Sequence, residues 1–167
     1  MLAHPAHWLA LGFGSGLSPF APGTAGTLWA WVSFLVLSQW LNEWQWGWVI
    51  AISIPVGWWA CTVTAKHMGV RDPGHIVWDE ITAFWLVLWL VMPAGLLAQT
   101  LAFVLFRYFD AAKPGPVGWA DRLMHDANLA LPDAEAHWTK AGFGIMLDDL
   151  VAALCTLLVF AVWRFFE

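Results

Sequence analysis

Charge is what this sequence has least of. Only 11% of its 167 residues are Asp, Glu, Lys or Arg, whereas a soluble domain typically carries about 25%. So few charges cannot cover an ordinary water-exposed surface, which argues against a soluble domain. Disordered chains combine low hydrophobicity with high net charge. Because 60% of these residues are apolar, disorder is excluded as well.

Three further absences narrow the class of protein. The two cysteines, Cys61 and Cys155, are far apart and form neither a CxxC pair nor a disulfide framework. The net charge is −5 and there is no Lys/Arg run, so nucleic acid is not an expected partner. The first 25 residues lack a basic start and soon become rich in glycine and proline, so a cleaved signal peptide is not expected.

Long apolar stretches and 15 tryptophans are what the sequence does contain. Tryptophan is favoured where apolar helices meet lipid headgroups, and a spanning helix needs roughly 20 mostly apolar residues. We therefore predict an all-α fold, a polytopic integral membrane helical bundle of about four to five apolar helices. It forms a single domain over residues 1–167, with apolar helices at about 26–41, 45–65, 81–92, 95–109 and 150–166.

The distribution of basic residues predicts the orientation of this bundle. Cytoplasmic loops carry an excess of Lys and Arg. With five helices, one side holds six of the basic residues and the opposite end has only Arg164 nearby. That side is predicted to be cytoplasmic, and it carries Lys66, Arg71, Arg107, Lys113, Arg122 and Lys140.

A glycine-rich segment, residues 12–27, precedes the first apolar helix. Glycines let backbone N–H groups approach an anion, and Thr24 and Thr27 add hydroxyl donors near a helix N-terminus. The alternative is a flexible entry loop in which one threonine caps the helix. The segment is neither a P-loop nor a dinucleotide fingerprint, so alone it indicates little.

Two adjacent carboxylate pairs, Asp79–Glu80 and Asp148–Asp149, are predicted at the starts of apolar helices. A lone acid there is usually a cap or a partner of the helix dipole. Two pairs in so charge-poor a chain favour a site for a hard cation such as Mg²⁺, which carboxylates hold together with phosphate oxygens. Asp72 and Asp110 are possible further members.

Basic residues near these carboxylates could bind a phosphate. Arg107, Lys113 and Arg122 supply cationic donors, although all three would serve as topology signals in any case. His75 could act as a general acid or base, but a lone histidine is more often an ordinary polar loop residue.

Four motifs together resemble the phosphatidylglycerophosphatase A family: GFGSGLSPFAPGTAGT, MGVRDPGHIVWDE, FRYFDAAKPGPV followed by DR, and GIMLDD. The resemblance implies a bacterial inner-membrane enzyme with its active site facing the cytoplasm. It implies Mg²⁺-dependent removal of the terminal phosphate of phosphatidylglycerophosphate, giving phosphatidylglycerol. The matching positions are Thr24, Thr27, Asp72, Asp79, Glu80, Arg107, Asp110, Lys113, Asp121, Arg122, Asp148 and Asp149.

Roles follow from combining the resemblance with the residue chemistry. Asp79, Glu80 and one or both of Asp148 and Asp149 are expected to hold Mg²⁺. Arg107, Lys113 and Arg122, with Thr24 and Thr27, are expected to bind the phosphate. The catalytic candidates are Asp79, Glu80, Asp110 and Asp72. Attack by water and an aspartyl-phosphate intermediate on Asp79 or Asp110 both remain open.

Two departures from the family pattern accompany the match. KPGP stands where the family usually has an aromatic residue between Lys-Pro and Pro, and residues 123–140 form a longer, more polar segment. The rival interpretations are a Mg²⁺-dependent phospholipid phosphotransferase and a small membrane cation carrier. The first would need a longer acidic motif on one helix, and the second would place acids in the middle of the spanning helices.

Overall fold

Every regular element in the part of the chain that the structure describes is helical. A computed structural model describes residues 4–129 and 134–166. A short 3-10 segment, Gly12–Leu17, follows the first helix. The helices are α1 Pro5–Ala10, α2 Pro22–Leu37, α3 Glu43–Met68, α4 Trp78–Val91, α5 Leu96–Ala112, α6 Pro116–Leu129 and α7 Ala134–Phe165. The prediction of an all-α fold is confirmed.

Five of these helices, α2 to α5 and α7, run between two ends of the molecule. We call the end that holds Pro22, Met68, Trp78 and Ala112 the polar end, since the predicted motifs lie there. At the opposite end, Trp89 Nε1 donates to the Glu43 carbonyl at 3.1 Å, joining the end of α4 to the start of α3. α7 packs against α3, α4, α5 and α6 and so connects the bundle.

Local sequence signals explain where α3 begins and ends. Asn42 accepts a hydrogen bond from the Gln45 backbone at 2.9 Å, and the Gln45 side chain accepts one from the Asn42 backbone. This capping box satisfies two backbone donors at the start of α3. Gly69 ends the helix in the left-handed region, φ 67°, where glycine has no Cβ penalty. Pro55 lies inside the helix without ending it.

Helix α4 lies at the centre of the bundle. Its Ile81, Phe84 and Leu88 are fully buried, as is Phe106 of α5. The Phe84 and Phe106 rings have centroids 5.5 Å apart. Because α4 is covered on most sides, the acidic residues in its first turn are also drawn into the interior. The core thus positions the polar end.

The predicted helix boundaries hold for the first four apolar segments within a few residues, but the last one is wrong. Helix α7 begins at Ala134 rather than at residue 150, and α6 occupies part of the predicted polar stretch. Polar residues such as Glu135 and Lys140 are good helix formers. Helix α7 therefore continues through this polar stretch, although the stretch is not apolar. Asp148 and Asp149 therefore lie within α7, not at a helix start.

Two helices are long and apolar enough to cross a bilayer, Glu43–Met68 and Ala136–Phe165. The others are shorter: α2 has 16 residues, α4 has 14 and α5 has 17. A helix of 14 residues is about 21 Å long, less than the hydrocarbon thickness of about 30 Å. The predicted break between the third and fourth apolar helices is confirmed at residues 92–95.

Candidate active site

Three carboxylates from two helices converge at the polar end. Asp79 and Glu80 lie in the first turn of α4, and Asp149 lies within α7. One oxygen from each can be chosen so that all three lie within 4.8 Å of one another. Asp79 is 8% exposed and Asp149 is 3% exposed. We call these three residues the carboxylate cluster.

The carboxylate cluster has unsatisfied acceptor atoms. Within the described part of the chain, Asp79 Oδ1, Glu80 Oε2 and Asp149 Oδ2 are buried and have no hydrogen-bond partner. A buried polar atom without a partner costs free energy, and three close carboxylates also repel one another. Hard oxygen donors at this spacing are what a divalent cation such as Mg²⁺ requires. The residues present therefore fit the metal that the sequence predicted.

Arg107 of α5 lies beside this cluster. Its guanidinium NH1 lies 3.7 Å from Glu80 Oε1 and contacts Asp110, one turn further along α5. The same nitrogen lies 3.4 Å from Thr27 Oγ1 of α2. One arginine thus joins three helices. A guanidinium carries five N–H donors, so these contacts leave donors for a phosphate.

Helix α2 points its N-terminus at Glu80 and Arg107. A Cβ on Gly23 would overlap Glu80 Oε1 and would lie 3.1 Å from both terminal guanidinium nitrogens of Arg107. Only glycine allows the helix to come this close. Ala21 precedes the helix in the left-handed region, and no side chain caps it. An uncapped helix N-terminus favours an anion.

Lys113 forms a second group of charges next to the first. It ends α5 in the left-handed region, φ 45°. Its Nζ donates to Asp148 Oδ2 at 2.6 Å and to Asp121 Oδ1 of α6 at 2.7 Å. Burial lowers the pKa of Lys113, but Asp148 and Asp121 outweigh it and the pKa lies above its usual value. Lys113 is therefore a permanent cation here.

Asp148 and Asp149 serve these two groups separately. Consecutive residues of an α-helix point about 100° apart, so Asp149 contributes to the carboxylate cluster while Asp148 contacts Lys113. The sequence left open whether one or both would hold the metal. The geometry favours Asp149 for this role.

The remaining predicted residues are exposed or half-buried. Asp72 and Arg122 are exposed, and Thr24 is half-buried in the first turn of α2. His75 Nδ1 donates to the Gly16 carbonyl at 2.9 Å, which ties the glycine-rich segment to the loop before α4. Of the longer polar segment 123–140, residues 130–133 and the side chains of 123–135 lie outside the described residues.

Sequence reasoning missed two features of this site. Gly23 lies in the glycine-rich segment 12–27 but is not predicted as a site residue, although its position directly after Pro22 at a helix start is a signal that could have found it. The ion pair between Lys113 and Asp121 joins α5 to α6. No spacing rule predicts it, because α6 itself was not predicted.

The fold and the site define an all-helical protein in which buried carboxylates lie beside cationic groups suited to phosphate. The sequence model of the family described as Phosphatidylglycerophosphatase A matches residues 8–164. The chain belongs to this family.

Named relatives agree with this assignment. The Phosphatidylglycerophosphatase A of Escherichia coli K12 is 40% identical over 153 residues, 92% of this chain and 80% of the relative. That of Haemophilus influenzae is 36% identical over 162 residues, 96% of this chain and 90% of the relative. A protein of Bacteroides thetaiotaomicron, 33% identical over 93% of this chain and 91% of its own length, is provisionally named a phosphatidylinositol-3-phosphatase. No solved structure matches the chain.

Proposed function

We propose that this chain is a membrane-embedded, Mg²⁺-dependent lipid phosphatase that converts phosphatidylglycerophosphate to phosphatidylglycerol and inorganic phosphate. The observation that carries the proposal is the carboxylate cluster, with its unpartnered buried oxygens, beside Arg107 and the uncapped start of α2. Family membership supplies the substrate, which is the one that the relatives from E. coli and H. influenzae are named for.

Each group of the site has a role in this reaction. Asp79, Glu80 and Asp149 would hold the metal, which would stabilise negative charge on the phosphate oxygens and lower the pKa of a bound water. Arg107, Lys113 and the first turn of α2 with Thr24 bind the terminal phosphate. The buried Thr27 was predicted as a further donor, but its hydroxyl donates to the Gly23 carbonyl at 2.8 Å and lies 3.4 Å from Arg107, so it positions that arginine instead. Arg107 and Lys113 are already held by contacts with neighbouring helices, so little reorganisation is needed as charge develops. Arg122 is exposed on α6 and would contact the substrate headgroup from the solvent side of the site.

Two chemical routes are compatible with this arrangement. In one, a water oxygen attacks phosphorus, the bond from phosphorus to the glycerol oxygen breaks, and the leaving oxygen takes a proton. In the other, a carboxylate oxygen of Asp79 or Asp110 attacks phosphorus and displaces the glycerol oxygen, which takes a proton. Water then hydrolyses the aspartyl phosphate to inorganic phosphate and the free carboxylate. Radiolabelled phosphate that stays on the protein after rapid quenching during turnover would identify the second route, and its absence the first.

The membrane placement is part of the proposal. We propose that α2, α3, α4, α5 and α7 all cross or enter the bilayer of a bacterial inner membrane, with the polar end in the cytoplasm. Two of them meet the length and hydropathy of a full span. Lys66, Lys113 and Arg122 lie at the polar end, as cytoplasmic basic residues do.

The test is phosphate release from phosphatidylglycerophosphate by the detergent-purified protein, with Mg²⁺ and then with excess EDTA. We expect release that needs the metal. Phosphatidylinositol-3-phosphate is included as a competing substrate, because of the name of the B. thetaiotaomicron relative. Faster release from the inositol lipid would overturn the substrate, and no metal-dependent release from either would overturn the reaction.

A further inference from the structure

A second candidate lipid site lies at the end of the bundle opposite the carboxylate cluster. A cavity of about 510 Å³ opens there between the end of α4, the start of α5 and the end of α7. This volume is within the range of about 300–1,000 Å³ found for small-molecule sites. We call it the distal cavity. Its walls include Leu90, Val91, Ala98, Leu157, Phe160 and Arg164.

Arg164 is the charged residue in an otherwise apolar lining of the distal cavity. Leu157 and Arg164 both line it and are seven residues apart on α7, which is about 10 Å along the helix axis. Phe160 lies between them. In the described residues no carboxylate forms an ion pair with Arg164. An exposed guanidinium at an otherwise apolar cavity is suited to the phosphate of a lipid.

Tryptophans also lie at the end of the bundle that holds Arg164. Trp163 lines the cavity next to Arg164, and Trp40 and Trp44 are 72% and 84% exposed around the nearby start of α3. Tryptophan is enriched at the membrane–water interface. An acyl chain lying along Phe160 and Leu157 would therefore point towards the bilayer centre while its headgroup meets the guanidinium.

From this arrangement we infer that the distal cavity binds an anionic phospholipid, with an acyl chain inside the cavity and the phosphate on Arg164. The inference rests on the proposed membrane placement but goes beyond the proposed reaction. It assigns a lipid site in the leaflet opposite the one that faces the carboxylate cluster. Charge complementarity selects an anionic headgroup, since nothing negative in the described lining would attract a cation.

Native mass spectrometry of the delipidated, detergent-solubilised protein tests this assignment. The protein is titrated with anionic phosphatidylserine, which is neither substrate nor product of the proposed reaction, and, separately, with zwitterionic phosphatidylethanolamine of the same acyl chains. We expect wild-type protein to retain the first about tenfold more tightly. Arg164→Gln is expected to remove this preference. Ala161→Phe adds a large side chain at a residue that lines the distal cavity, and it is expected to weaken the binding of both lipids.

Lys140→Gln is the matched control, because it removes one positive charge from the exposed polar end of the same helix. It is expected to bind like wild type. Equal affinity for the two lipids, or unchanged binding by Arg164→Gln, would overturn the assignment. So would a dimer that Ala161→Phe dissociates, since a second copy would then occupy the cavity. No readout uses turnover, so failure of the proposed reaction would leave this test intact.

Discussion

At the scale of single residues, the site depends on what each carboxylate contacts rather than on how many there are. Asp148 and Asp149 are neighbours in sequence, yet one forms an ion pair with Lys113 and the other joins Asp79 and Glu80. The sequence predicted all four acids from composition and resemblance. It could not assign them to different groups, because it did not show that both lie within one long helix.

Asp79→Asn should abolish activity, with a loss of about a thousandfold or more, equivalent to about 4 kcal/mol. It removes one ligand from the carboxylate cluster, but it also removes one of three mutually repelling charges. Without Mg²⁺ the variant should therefore melt at or above the wild-type temperature. Mg²⁺ should raise the melting temperature of wild-type protein but not of the variant, because only wild type binds it.

Phosphate release and thermal melting, each with and without Mg²⁺, measure both effects. Glu43→Gln is the control, since it also neutralises an acid but at the first turn of α3, at the opposite end. It should keep activity and the Mg²⁺ response. A stable Asp79→Asn protein with near-wild-type turnover would remove Asp79 from the site.

Lys113 should bind substrate without titrating near neutral pH. Its pKa is raised in the folded protein, so its stabilisation is complete below the unfolded pKa of about 10.4 and is lost only as the pH rises through the folded value. Lys113→Met should raise KM for the lipid about tenfold, since a charged hydrogen bond to phosphate is lost. Lys113→Arg should not change the pH at which kcat/KM falls on the basic side of its pH profile.

Kinetics from pH 6 to 10 test this, with Lys140→Met as the control for loss of an exposed lysine on α7. If Lys113→Arg moves the basic limb upward, Lys113 titrates in that range and the assigned ion pairs are not formed. If Lys113→Met leaves KM unchanged, the residue does not contact the phosphate.

At the scale of elements, the approach of α2 to α4 and α5 builds the proposed phosphate-binding face. Thr27 of α2 contacts Arg107, and Gly23 of α2 lies against both Arg107 and Glu80. The long apolar stretches predicted α2, α3, α4 and α5, because a helix that enters a membrane needs a run of mostly apolar residues. They did not predict α6 or the first part of α7, which are helical but polar.

Gly23→Ala should inactivate the enzyme without unfolding it. The added methyl group would overlap Glu80 Oε1, so the start of α2 must retreat from the site and the phosphate would lose its backbone donors. We expect at least a hundredfold loss of kcat/KM, about 2.7 kcal/mol. Phosphate release measures the loss, and circular dichroism confirms that the helices remain.

The matched control is Gly95→Ala, which also adds a methyl group at a helix start. Gly95 precedes α5 with φ −68°, and a Cβ there would meet no atom within 4 Å. This variant should behave like wild type. Equal activity of both alanine variants would mean that α2 does not contribute to the phosphate site.

At the scale of the whole molecule, most of the charged residues lie towards the polar end of the bundle. The sequence predicted this distribution, since six of its seven basic residues and its paired carboxylates were assigned to one side of the bundle. It could not predict the distal cavity, because Leu90 of α4, Ala98 of α5 and Arg164 of α7 meet only in the folded bundle. The orientation in the membrane remains a prediction that follows from the distribution of charge.

Cysteine labelling tests the orientation. In a background with Cys61 and Cys155 replaced by alanine, Gly74→Cys places a thiol in the loop before α4, and Gly95→Cys places one before α5. Both glycines are exposed, and a Cβ at either would meet no atom within 4 Å, so the two sites differ mainly in which end they mark. A membrane-impermeant maleimide on intact spheroplasts should label the Gly95→Cys protein.

The Gly74→Cys protein should react only after the membrane is permeabilised, because the basic residues hold the polar end in the cytoplasm. Membrane flotation shows that both variants are inserted. The reverse pattern would place the carboxylate cluster on the outer face, where its lipid substrate would have to cross the bilayer first. Labelling of both thiols in intact spheroplasts would mean that α4 does not cross the membrane. Its length of 14 residues would explain that result, because it is shorter than a full span.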